Sequence, residues 1–278
     1  MASGIGATNA HFAEHGWVVV DFPDREAVVR VRTAILDFLR REALPGLGSL
    51  EDYHLVATDD EKHIAIQAKL AEFYWQGRLG PDMIGRQVAF FREFVGQDLY
   101  VQKFPYLRIA RPGKPQDNIS YHRDTWYGAT AFELSVFVPF VDLAPEAALQ
   151  MVSGSFRESE EAYPHTRLES KEVAAGSVKH KLGFAYAPHR LDIDISARIT
   201  KVPMRVGQAL IFGLSTLHGQ QINGSQATRF STDIRVVNQL APVKLSRTVR
   251  TEYFETLSES AVTRAARRYY EANPTLTP

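Results

Sequence analysis

The chain of 278 residues contains no cysteine. That absence removes disulfide frameworks, thiolate zinc sites, iron–sulfur clusters and cysteine nucleophiles together. It also fits a reducing compartment, and the cytoplasm is the expected location. Neither sign of charge prevails: Lys plus Arg and Asp plus Glu number 32 each, so the broad basic field of a nucleic-acid binder is missing. No apolar run approaches the length of a membrane span, and the opening "MASGIGATNAHFAEHG" has no basic region followed by an apolar one. Neither a membrane partner nor a signal peptide is therefore expected. "GIG" at Gly4 and "GLG" at Gly46 lack the strand-turn-helix setting that a phosphate loop needs. Internal repeats, low-complexity tracts and a clean linker are also missing. What remains is an ordinary globular composition, 45% hydrophobic and 23% charged, with enough chain for a core that needs no staples. A single domain over 1–278 is expected.

The first part of the chain, about 1–98, reads as largely helical. "GWVVVDF" (Gly16 to Phe22) is rich in β-branched residues and reads as a strand. In "PDREAVVRVRTAILDFLRRE", Val28, Val31, Ile35, Phe38 and Leu39 recur at helical spacing behind Asp24, a suitable N-cap. Residues 44–58 read as a loop, and "DDEKHIAIQAKLAEFYWQ" and "PDMIGRQVAFFREFVG" as two more helices, with Pro81 in a tolerated first-turn position. From Leu99 the texture turns to strands: "LYVQKFPYLRIA", "AFELSVFVPFVDL", "ALQMVSGS", "ARITKVPMRVGQALIFG", "STLHGQQIN" and "RFSTDIRVVNQL". In the second of these, Phe132, Leu134, Val136, Val138 and Phe140 share one face. Residues 156–200 form a long polar excursion between strands, and the strand-rich core spans about 99–245. Thr256 and Glu259 have capping-box spacing for a last helix over about 256–272. Many short strands with Gly and Pro turns indicate a mainly β sandwich or barrel with flanking helices.

Within "YHRDTWYG", His122 and Asp124 lie two apart. On a strand both side chains would reach one point, and an imidazole with a carboxylate suits Fe(II), Mn or Zn. The plainer reading is a turn with hydrogen-bonded polar groups. His218 ends an apolar strand just before a glycine. Alone it reads equally as a core histidine; with the other two it completes the two-His, one-carboxylate set that leaves three metal positions open. Arg229 follows His218 by eleven residues, across a turn and into the next strand, and would sit beside that site. A buried guanidinium needs an anion: a bound carboxylate, or an internal Asp or Glu. Ser231 and Arg235 continue its face at even spacing, the first offering a hydroxyl and the second a charge for another anion, such as part of a substrate.

These residues resemble the Fe(II)/2-oxoglutarate-dependent dioxygenases, and the flanks resemble the phytanoyl-CoA dioxygenase branch. "HFAEHGWVVVDF" is similar to that branch's opening and "YHRDTWYG" to its first metal motif. "FVDLAPEAALQMVSGSF" is similar to its strand and turn, with Ser153 where proline is common and Phe156 where histidine is common. "VGQALIFGLSTLHGQQINGSQATRFS" is similar to its second metal and cosubstrate block. The resemblance implies a double-stranded β-helix, a cupin-like jelly-roll, with helices outside it. It implies that His122, Asp124 and His218 bind Fe(II), that 2-oxoglutarate chelates the metal with its far carboxylate on Arg229 and Ser231, and that O2 takes the last position. The products would be succinate, CO2 and an oxidised, most often hydroxylated, small molecule of secondary metabolism. Asp124 itself implies oxygenation over halogenation, since related halogenases carry a small residue there.

Other positions keep two readings. Gln102 and Arg108, in the strand before the motif, are candidates for contact with cosubstrate and substrate, or else surface residues. Trp126 is a candidate wall of the substrate pocket, or core. His165, Lys179, His180, His189 and Arg190 lie in the excursion, which is a substrate-selecting lid over the barrel mouth or a solvated loop. A cationic lid would suit a polar or anionic substrate. "KLSRTVR" near the end reads as a solvated edge. Two other functions stay open beside the oxygenase: a jelly-roll metalloenzyme that uses no 2-oxoglutarate, and a non-catalytic ligand-binding jelly-roll.

Overall fold

A computed structural model describes residues 2–241 and 252–276. Helix α1 (Ala2–His15), strand β1 (Trp17–Asp21) and helix α2 (Arg25–Glu42) open the chain. Asp24 caps α2, its carboxylate accepting from the Ala27 amide. Val28, Val31, Ile35 and Leu39 form the buried stripe of that helix. The expected loop at 44–58 contains a single turn, α3 (Tyr53–Val56). Helix α4 (Asp60–Gln76) follows, and then "PDMIGRQVAFFREFVG" divides into α5 (Leu79–Gly85) and α6 (Val88–Phe94). Gln87 separates these two, its amide group held on both backbone polar groups of Asp24.

The remaining elements are mostly strands. The expected strand at "LYVQKFPYLRIA" is split by Pro105 into β2 (Leu99–Gln102) and β3 (Tyr106–Ala110). Then come β4 (Glu133–Pro139), β5 (Leu149–Val152), β6 (His165–Arg167), a short helix α7 (Val178–Lys181) and β7 (His189–Leu191). They are followed by β8 (Ile199–Val202), β9 (Gln208–Gly213), β10 (His218–Gly219), β11 (Arg229–Asn238) and β12 (Phe254–Ser258), and helix α8 (Ala261–Ala272) closes the described chain.

The architecture is a jelly-roll in which every strand pair is antiparallel. The main sheet runs β1-β9-β4-β11-β2-β12, with β3 also on β11, and the smaller sheet runs β10-β5-β8. Val136, Val138 and Phe140 join the core that α2 and α4 cover, so the even positions of β4 face the helices. Its odd positions, Glu133, Ser135 and Phe137, are also buried, on the opposite face. Phe132 lies before the strand and is exposed, outside the apolar row in which it was expected. The excursion is not all loop: β6 and β7 pair as a separate ribbon, with α7 between them.

The last helix starts later than its capping-box pattern predicts. Thr256 is in β12, opposite Tyr100, and Ser260 is the N-cap, accepting from the Thr263 amide. Ladder hydrogen bonds to β2 take the residues that a local cap would have used, and Glu259 pairs instead with Arg267. "KLSRTVR" lies outside the described residues. Among the described residues, no helix is long and apolar enough to cross a membrane.

Candidate metal centre

His122 and His218 meet by backbone pairing. The His122 amide donates to the His218 carbonyl at 2.8 Å, and the His218 amide returns the bond at 3.0 Å. Each imidazole is then fixed by its own chain: Nδ1 of His122 donates to the Ser120 carbonyl at 2.7 Å, and Nδ1 of His218 to the Thr216 carbonyl at 3.0 Å. A carbonyl can only accept, so the proton sits on Nδ1 and Nε2 keeps its lone pair. Burial, and then the nearby His122, lower the pKa of His218 to about 4, so it is neutral and ready to ligate at neutral pH.

Asp124 is not placed by strand alternation, as its spacing suggested. A 3-10 turn (Asp124–Tyr127), closed by Gly128 at φ 89°, swings it inward. One carboxylate oxygen lies 3.7 Å from Nε2 of His122 and the other 3.8 Å from Nε2 of His218. The candidate ligand atoms of the three residues all lie within 4.8 Å of one another, and all three residues are buried. Burial would raise the Asp124 pKa, but Arg235 and the two imidazoles hold it well below the usual carboxylate range. The group is therefore an anion throughout the neutral range. Arg123, passed over in the sequence, points to the other side, donating to Glu160 and to the Ser155 and Glu158 carbonyls. It anchors the turn from behind.

Arg229 is on the main sheet, facing the small sheet that carries His218, so the two are opposed across the barrel and not on neighbouring strands. It is only 3% exposed. Nη1 donates to the Ala147 carbonyl at 3.3 Å, the guanidinium sits 6.0 Å from the Phe137 ring centre, and Nε has no partner among the described residues. Burial lowers its pKa to about 10. Ser231, two residues on, has a buried hydroxyl with no partner. Arg229, Asp233 and Arg235 line the small cavity of about 40 Å³ that His122, Asp124 and His218 also line. Ser135 lines it too, with another unpartnered hydroxyl. Sequence reading missed Ser135; the signal was a polar pair, Glu133 and Ser135, on the odd face of an otherwise apolar strand.

The sequence profile of the phytanoyl-CoA dioxygenase family (PhyH) matches residues 12–231. The chain belongs to that family. It is accordingly an oxidoreductase, and iron with 2-oxoglutarate is the cofactor set of the phytanoyl-CoA dioxygenase fold type. Among solved structures, the non-heme monooxygenase ThoJ in its apo form is 16% identical, with a TM-score of 0.55, covering 91% of this chain and 84% of that one. The epimerase SnoN, in complex with Fe3+, alpha ketoglutarate and nogalamycin RO, is 17% identical, with a TM-score of 0.50 and coverage of 86% and 85%. EctD from S. alaskensis with bound Fe is 16% identical, with a TM-score of 0.50 and coverage of 84% and 76%. These likenesses are of fold. A search of curated proteins finds no match.

The residues present fit a metal with a bidentate anion beside it. Asp124 Oδ2, Arg229 Nε, Ser231 Oγ, Ser135 Oγ and Arg235 Nη1 are all buried without a hydrogen-bond partner among the described residues. Buried polar groups are ordinarily satisfied, and these orphans gather on one row of β11 and around one cavity. The remaining candidates separate. Gln102 does not reach this site: its amide donates to the Phe104 carbonyl and accepts from the Arg235 backbone N–H. It fills the gap in the ladder where β2 gives way to β3. Arg108 lines the cavity, with Nε on Asp233 at 2.8 Å and Nη1 on the Gly183 carbonyl at 3.1 Å. Arg235 is committed through Nη2 to Asp124 at 3.0 Å.

Trp126 turns away from the metal side: its indole donates to Glu160 and stacks on His165 at 3.8 Å. Tyr127, not singled out in the sequence, takes the place expected of Trp126, facing His122 edge-on at 5.4 Å and lining an adjoining cavity of about 410 Å³. Arg190 points to solvent, its side chain 65% exposed beside Asp192, and so does not reach that cavity. Lys179 faces Glu172. The excursion contributes His180 and the run Gly183 to Tyr186 to the cavity wall, a mostly aromatic surface in place of the expected cationic one.

Proposed function

We propose that this protein is an Fe(II)/2-oxoglutarate-dependent oxygenase that hydroxylates a small polar molecule of secondary metabolism, releasing succinate and CO2. The observation that carries the reading is the opposed pair of unsatisfied groups in one buried cavity. A carboxylate oxygen and two imidazole Nε2 atoms stand at one side, and the Arg229 guanidinium at the other. His122, Asp124 and His218 would hold the metal. Arg229 and Ser231 would take the far carboxylate of 2-oxoglutarate, a charge-assisted pairing that a guanidinium fork favours. With dioxygen, the bound iron and keto acid supply the oxidising power.

The chain's own residues supply position and exclusion of water. Leu149, Phe137 and Phe212 wall the cosubstrate side. Tyr127, Phe184, Tyr186 and Tyr253 form an aromatic surround beside the metal ligands, with Arg108, Glu133 and Arg235 offering the polar contacts. A cavity of about 410 Å³ suits a compact, ring-sized substrate with hydrogen-bonding groups. The deciding test is anaerobic addition of Fe(II) and then 2-oxoglutarate to the apo-protein, followed by visible absorption. A weak charge-transfer band that saturates, and that Asp124→Ala abolishes, supports the reading. Iron binding without the band refutes the use of 2-oxoglutarate.

A further inference from the structure

The carboxylate of Asp124 is divided between two jobs. Its Oδ1 is held by Nη2 of Arg235 at 3.0 Å, while its Oδ2 is buried and has no hydrogen-bond partner among the described residues. Arg235 is itself fixed. It lies on β11 in the row that carries Arg229 and Asp233, and its backbone N–H is pinned by Gln102 at 3.1 Å. Its side chain is 11% exposed and lines both the metal cavity and the larger one beside it. The neighbouring Arg108 has its own acid, Asp233, and Arg235 pairs with Asp124.

Resting on the oxygenase reading, we infer that Arg235 is a positioning residue that occupies one oxygen of Asp124, leaving a single oxygen for the metal and so reserving the places that 2-oxoglutarate and dioxygen require. A carboxylate chelating through both oxygens would fill one more coordination position than a carboxylate using one. Three protein ligands leave three places open only if Asp124 uses one oxygen. A partner outside the coordination sphere that orients a ligating carboxylate is a known way of tuning metal sites. Here the partner is a buried cation, which also opposes the arriving metal charge. Arg235 thus trades metal affinity for cosubstrate access.

The two effects have opposite signs, and this makes the inference testable without turnover. The full chain is titrated anaerobically with Fe(II), and then with 2-oxoglutarate, for wild type, Arg235→Met and Arg235→Lys. Arg235→Met removes the charge and all the guanidinium N–H donors at similar length. It should bind Fe(II) as tightly as wild type or up to about tenfold tighter, yet bind 2-oxoglutarate at least about tenfold more weakly, with a fainter charge-transfer band. Its apo form should melt lower, because Asp124 is left buried without a partner, and Fe(II) should raise its Tm more than it raises that of wild type. Arg235→Lys keeps the charge and an N–H for Asp124, and should bind 2-oxoglutarate within about threefold of wild type. It decides the matter if the methionine variant does not fold.

Equal 2-oxoglutarate affinity and an unchanged band in folded Arg235→Met would overturn the inference. So would parallel loss of iron and 2-oxoglutarate in both variants, which is what a merely structural residue predicts. If wild type itself binds Fe(II) but gives no band, the oxygenase reading fails, and the inference resting on it fails with it. A band in wild type together with no change in Arg235→Met defeats the inference alone.

Discussion

Arg229 offers the sharpest test of the cavity, because emptying it should stabilise the protein. Its guanidinium is buried with one long hydrogen bond, to the Ala147 carbonyl at 3.3 Å, and an unpartnered Nε. Burial lowers its pKa to about 10 in the fold, a differential interaction of about 3 kcal/mol relative to the free side chain at about 1.4 kcal/mol per pH unit. The sign follows from proton binding: the unfolded chain holds this proton more tightly than the folded one. The full cost therefore applies below about pH 10 and is relieved as pH rises above that. Arg229→Met removes the charge and keeps most of the volume, at the loss of a hydrogen bond worth about 1 kcal/mol.

The apo variant should be more stable by about 2 kcal/mol, or about 4–8 °C in Tm for a domain of this size. The price is function. Leaving the far carboxylate of 2-oxoglutarate unpaired should weaken its binding by about 2–5 kcal/mol, a loss of about 30-fold or more. Thermal melting of both proteins, with and without Fe(II) and 2-oxoglutarate, measures both effects. Wild type should gain Tm with 2-oxoglutarate, and the variant should not. A folded apo variant that melts at or below wild type would refute the reasoning, since Arg229 would then be satisfied without an anion.

Other expectations are simpler. Gly219→Ala should cost more than about 2 kcal/mol and lower Fe(II) affinity, because a Cβ there would meet the Tyr121 Cα at 2.7 Å and force apart the pairing of His122 with His218; a melt with and without Fe(II) checks this. Gln102→Ala should leave 2-oxoglutarate affinity unchanged while costing about 1–3 kcal/mol in denaturant unfolding, since its amide serves the backbone. Buried His63, hydrogen-bonded to Tyr53, has its pKa lowered to about 4, mainly by burial. The unfolded chain takes up that proton first, so stability should fall as pH drops from about 6.5 towards 4, by about 3 kcal/mol from this residue. His63→Gln should flatten that part of the pH–Tm curve.

Periodicity was enough for α2, α4 and β1, where local signals agree with packing: the stripe of Val28, Val31, Ile35 and Leu39 behind the Asp24 cap is one consistent statement. It was not enough where tertiary pairing competes with a local pattern. Thr256 and Glu259 look like a cap, yet β12 pairs with β2 and the helix waits for Ser260. Pro105 cannot donate to a ladder, and the break it makes between β2 and β3 is what turns Gln102 from a cosubstrate candidate into a backbone acceptor. Trp126 and Tyr127 are neighbours in sequence, and only the 3-10 turn decides that the tyrosine faces the metal side.

The sequence by itself determined the inventory of chemistry: two histidines, an aspartate and an arginine, with no cysteine to offer another kind of metal site. Their types and order name a family because each type has few competing uses when all are buried together. The tertiary structure decided which charges are shared. That Arg235 would close on Asp124, that Arg108 would be spent on Asp233, and that Arg229 would be left without a counter-anion among the described residues depend on strand register across the barrel. A side chain's partner in a buried site is set by which residues, distant in sequence, arrive within hydrogen-bonding reach, and that information is carried by the packed chain rather than by any local stretch of it.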